Sequence, residues 1–143
     1  MRARYRHGRE DRSSESSIQS LPAPLQLPVL PAHWWRTRKP QSFGGPDVKA
    51  IRAALLRMRI PGESDWLWAV TGDPATAIGI AVRQLQAYGM TSPIVDAAVS
   101  AVLCVAIEGN RAAPAVVESA LRRRQKIDPL CAELILAWRT ARF

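Results

Sequence analysis

The chain has 143 residues, 48% of them hydrophobic, and a formal net charge of +8. That length is one domain's worth, and that apolar content excludes a wholly disordered chain. Lysine is rare among its 20 basic residues and alanine is abundant; this is the codon bias of a GC-rich, bacterial-like genome, so arginine number alone says little about phosphate binding.

The basic excess lies mostly ahead of Asp47. Residues 1–17 (MRARYRHGREDRSSESS) show no apolar period and read as a disordered basic tail. Residues 18–46 are proline-rich and read as an extended linker. Leu21, Leu25, Leu27, Val29 and Leu30 make it more apolar than an ordinary linker, which suits a segment lying along a groove of its own bundle or of a partner. Pro22, Pro24, Pro28 and Pro31 break the uncharged stretch before Arg36, so it predicts neither a signal segment nor a membrane-spanning helix. A soluble, cytoplasmic protein is the expectation.

From Asp47 to Phe143 the pattern predicts an all-α domain, a compact irregular bundle of about five to six short helices. The first runs over 48–60, with Asp47 as N-cap, Val48, Ile51, Leu55 and Met58 on one arc, and Pro61-Gly62 as its stop. Ser64–Thr71, ending at Gly72, predicts a two-turn helix, with a strand as the competing reading of Trp-Leu-Trp-Ala-Val.

A capping side chain followed by proline then recurs at Asp73-Pro74, Ser92-Pro93 and Asp128-Pro129, where the missing proline N–H costs nothing. The third helix (74–88) is expected to turn Ile78, Val82 and Leu85 inward and to stop at Gly89. The fourth (93–108) is apolar nearly all round and is expected at the centre. For the fifth, Ala113-Pro114 is a weaker start signal, and Asn110 is a better cap. It runs to about Lys126. The sixth (129–141) sets Leu130, Leu134 and Trp138 in line. Two hairpins with HEAT-like spacing lack matching core positions, so a bundle is preferred to a solenoid.

Chemistry is sparse. His7 and His33 fall in the tail and linker, where no rigid element holds a base in register. There is no Cys-x-x-Cys and no His/Cys/acid cluster for zinc; Cys104 and Cys131 sit in apolar helical runs and read as structural thiols of a reducing compartment. No phosphate-cradling glycine motif and no nucleophile elbow occurs. Asp73, Asp96, Glu118, Asp128 and Glu133 fall at helix starts, where carboxylates offset the dipole. Neither an enzyme nor a cofactor is expected.

Two binding constellations remain. His33-Trp34-Trp35-Arg36-Thr37-Arg38-Lys39 interleaves aromatics with cations, making Trp34, Trp35, Arg36, Arg38 and Lys39 candidates for contact with a protein partner. The competing reading folds both tryptophans back onto the bundle. Lys49, Arg52 and Arg59, with Arg122, Arg123, Arg124 and Lys126, are candidates for nucleic acid or another anion; cations ending a helix also complement its dipole. A helix-turn-helix through Ala87–Ser92 fails, because Pro93-Ile94-Val95-Asp96 offers nothing to read bases. The sequence therefore predicts a non-catalytic helical interaction module for a protein partner. The alternative is a sequence-blind nucleic-acid-binding accessory protein.

Overall fold

The structure, a computed structural model, describes residues 29–143. The tail at 1–17 and the linker up to residue 28 lie outside the described residues. The rest is all-α, with no strand among the described residues.

Two 3-10 helices, Pro31–Arg36 and Pro40–Ser42, lead into α1 (Gly45–Leu55), α2 (Trp66–Thr71), α3 (Pro74–Ala87), α4 (Pro93–Ile107), α5 (Ala113–Arg124) and α6 (Cys131–Thr140). Among the described residues the packed unit therefore includes the segment from Pro31 to Ser42, ahead of Asp47. Ala32, Trp35 and Pro40 are buried, so the second half of the expected linker is part of the body. Proline-rich sequence excludes a long α-helix, but it permits the 3-10 turns by which Trp35 reaches the core.

α4 is the axis. Every residue from Val95 to Ala106 is buried, and α1, α2, α3, α5 and the first 3-10 helix all pack against it. Alanines at 97, 98, 101 and 106 keep the rod thin, so neighbours can approach on every side. α6 lies outside this ring, packed on α5 and on the second 3-10 helix.

Local capping agrees with the sequence at several starts. Asp73 accepts the Thr76 N–H at 3.0 Å and Ser92 accepts the Ile94 N–H at 3.1 Å. Asn110 accepts from Ala112 and Ala113 at 3.0 and 2.9 Å. Ser64–Thr71 is helical from Trp66, and Gly72 ends it at φ +118°, a left-handed conformation that a side chain would strain.

Other expectations are corrected. Gly44, not Asp47, is the α1 N-cap; Asp47 sits in the first turn and accepts the Gly44 N–H at 2.8 Å. Glycine has no side chain with which to cap, so the carboxylate does so from inside the helix. α1 stops at Leu55, well before Pro61. The chain then leaves the helix to bury Ile60, and Trp66 Nε1 donates to the Met58 carbonyl at 3.1 Å.

On α3 the inward stripe is Ala77, Ile80, Ala81, Gln84 and Leu85, while Val82 is 42% exposed. Side-chain size misplaces that face, because the alanines define it. The α3 stop does not use a left-handed Gly89, since the positive-φ glycines are Gly62, Gly72 and Gly109. On α6, Cys131, Leu134, Ile135 and Trp138 are buried, but Leu130, just ahead of the helix, is 71% exposed.

Candidate functional site

Asp96 is the buried polar centre of the molecule. Placed one turn into α4, it is 4% exposed and faces the first 3-10 helix. Its Oδ1 accepts from Trp35 Nε1 and Arg36 Nε, each at 2.9 Å; Oδ2 accepts from Arg36 Nη2 at 3.1 Å. His33 Nε2 lies 3.4 Å from Oδ2. A carboxylate can be kept from water only when its lone pairs are filled, and here two side chains of one short element supply three hydrogen bonds to it. Below them, Ser100 Oγ donates to the Ala32 carbonyl at 2.9 Å, fixing the same segment to α4 a turn later.

The aromatic–cationic segment is therefore held on its own bundle. Trp35 is fully buried in the core, and Trp34 is partly buried against it. The Arg38 guanidinium lies over both the Trp34 and Phe43 rings, 4.6 and 4.5 Å from their centroids. It also donates to Asp47 Oδ1 at 3.2 Å and to the Ser42 carbonyl at 2.8 Å. Of the five partner candidates only Lys39 keeps its charge exposed, near Glu133 and Leu136. Two residues take roles the sequence does not suggest. Asp96 does more than offset a helix dipole, and His33 is anchored in a structured turn.

The anion candidates are scattered. α1, with Lys49 and Arg52, packs on α4, α2 and the first 3-10 helix, whereas α5 packs on α3, α4 and α6. Arg52 forks onto Glu108 at 2.6 and 2.8 Å; the ion pair raises the Arg52 pKa and holds the Glu108 carboxyl below its ordinary value. Arg122 pairs with Glu118 at 3.0 Å on the same helix. Arg123 donates to the Leu85 carbonyl, and Arg124 donates to the Met90 carbonyl at 2.7 Å with Asp128 beside it. The arginine run thus ties α5 to the turn between α3 and α4. Lys49, Arg59 and Lys126 are exposed.

Both thiols are buried and unpaired. Burial pushes the Cys104 thiol up to about 12 and raises Cys131 as well, the opposite of what a nucleophile or metal ligand needs. Among the described residues no three His, Cys, Asp or Glu side chains gather as a metal would require, and no helix is long and apolar enough to cross a membrane.

Apolar surface is more informative. Trp68 is 66% exposed and Leu67 62%, side by side on α2, and Leu56 is 57% exposed. Leu56 and Leu67 flank one cleft, floored by Ile60, Trp66 and Val70. Met58 lines this cleft and also a larger groove of about 600 Å³ beside the Asp96 cluster. Sequence reasoning sees Trp68 as part of a helix and gives it no role. Leu67 and Trp68 are adjacent, and on a two-turn helix periodicity does not decide which of them faces out.

No protein-family model, no curated protein and no solved structure matches this chain.

Proposed function

We propose that this chain is a non-catalytic helical interaction module, and that it binds a protein partner through the Leu56–Leu67–Trp68 surface. The observation that carries this reading is Trp68, a tryptophan two-thirds exposed on a short helix beside a similarly exposed leucine. Large apolar groups left together in water are costly for solubility, and tryptophan is the residue type most enriched among those that dominate binding energy. The cleft next to Leu67 supplies the concave half of such a contact. Trp34 and Trp35, the aromatic pair that stands out in sequence, are used in folding the module.

Nucleic-acid binding through the candidate cations has weaker support. Arg52, Arg122, Arg123 and Arg124 are each engaged inside the molecule, and of the remaining three Lys49 and Arg59 fall in or just after α1 whereas Lys126 follows α5.

The test is capture from the native cell with the full chain, compared with a Leu67→Ser/Trp68→Ser variant. Both side chains are exposed, so circular dichroism should be unchanged. A partner retained by the native chain should be lost from the variant. Equal recovery by both would end this reading. So would light scattering showing that the surface merely seats a second copy.

A further inference from the structure

The groove of about 600 Å³ beside the Asp96 cluster lies in the size range of small-molecule sites. Leu30, Ala53, Ala54, Met58 and Pro93 make most of its wall apolar. Ala53 and Ala54 keep one side low, and the thioether of Met58 can adapt to what lies on it. Its polar lining is confined to His33, Arg57 and Asp96.

Charge decides what fits. Asp96 is already neutralised by the fork of Arg36, and both its oxygens accept bonds from within the protein. Arg57 is different: among the described residues no carboxylate lies within ion-pair distance of it. The groove therefore joins an apolar wall to a planar guanidinium that has no ion pair among the described residues and can present two donors to one carboxylate. That combination matches a carboxylate on an apolar tail, its head bidentate on Arg57 and its tail along Ala53, Ala54 and Met58.

We infer that this groove is a binding site for a free, tailed monocarboxylate of the fatty-acid class. The site is separate from the Trp68 surface and goes beyond the protein-partner reading, although Met58 forms the wall between the two.

The probes are decanoate, decanol and decyltrimethylammonium, titrated by calorimetry into the full chain below their micelle concentrations, with phosphatidylglycerol vesicles as a sedimentation arm. Decanoate should bind one to one, about tenfold tighter than decanol, the increment of one charge-assisted contact. The cationic amphiphile should bind weakest, and vesicles should leave the protein in the supernatant. Arg57→Ala should bring decanoate down to the level of decanol. Ala53→Trp, an exposed position on the groove wall, should block both, while Leu67→Ser/Trp68→Ser should change neither.

The inference is overturned if decanol equals decanoate, or if either groove substitution leaves decanoate binding intact. It also fails if the protein sediments with vesicles, since the anion read would then be a membrane surface. Loss of decanoate binding in the Trp68 variant would assign the affinity to the wrong face.

Discussion

The indole N–H of Trp35 donates to the carboxylate of Asp96 at 2.9 Å, across 61 residues of sequence. This bond, with the fork from Arg36, attaches the proline-rich segment to the central helix. Buried ion pairs add little when compared with an apolar replacement, but removing one partner strands the other. Asp96→Ala leaves the Arg36 guanidinium and the Trp35 N–H without an acceptor, and should cost about 3–5 kcal/mol in urea unfolding. Arg36→Met combined with Asp96→Ala should cost less than the two single changes added together. Strict additivity would mean that the cluster does not act as a unit.

Two glycines should respond in opposite directions. Gly72 sits at φ +118°, and a Cβ there would stand 3.1 Å from Arg52 Nη2. Gly72→Ala should therefore destabilise by about 1–2 kcal/mol and disturb the Arg52–Glu108 pair. Gly79 lies inside α3 with ordinary helical backbone, and the nearest atom to its Cβ position is Arg83 Nη1 at 3.5 Å, a normal contact. Gly79→Ala should stabilise by about 0.5–1 kcal/mol. Thermal unfolding of the two variants side by side decides the matter; a stabilised Gly72→Ala would refute the strained-cap account.

How far the sequence carries can be read from the same residues. Proline at helix starts and side-chain caps at Asp73, Ser92 and Asn110 are local signals, and they place most helices within a few residues. The all-round apolar run of α4 marks it as the axis for the same reason: burial on every side leaves no polar face to write. What is not legible depends on distant contacts. Nothing near Asp96 announces that Trp35 and Arg36 will arrive from the other end of the chain, and a first-turn carboxylate reads as a cap. The α3 face goes astray because Ala77 and Ala81 carry little hydrophobic weight, though their smallness is what admits α4. Trp68 escapes notice because whether a tryptophan is covered is a tertiary fact.

Acid should unfold the protein partly through Glu63. Its side chain is 9% exposed; hydrogen bonds from Arg83 and Gln84, the former the larger influence, hold the carboxyl below its ordinary value of 4.5. A carboxylate depressed in the folded state contributes fully above the unfolded value and loses that contribution as pH falls through the folded one. Glu108, depressed by Arg52, has the same sign. Stability to urea should therefore be flat from neutral pH to about pH 5 and decline from the ordinary carboxyl value downward, through the depressed folded values. Glu63→Gln should lower the plateau and make the acid limb shallower. An unchanged limb would remove Glu63 from the account.

The arginine run offers the sharpest contrast between neighbours of identical chemistry. Arg124 is 14% exposed along its side chain, donates to the Met90 carbonyl at 2.7 Å and has Asp128 Oδ2 at 3.5 Å. Arg122, 51% exposed, meets Glu118 on the surface of its own helix. A surface pair of this kind contributes about 0.5 kcal/mol or less. A donor closing an otherwise open turn carbonyl from a charged group is worth about 1.5–3 kcal/mol. Arg124→Ala should thus cost several times what Arg122→Ala costs, and hydrogen exchange should quicken at the turn between α3 and α4 in the Arg124 variant alone. If the run were instead a phosphate grip, both substitutions would lower affinity for a DNA or RNA probe, each reducing the salt dependence by about one counterion, with little difference between them in stability. Equal stabilities together with that salt effect would return these residues to nucleic-acid binding and remove their role as the clamp on the α3–α4 turn.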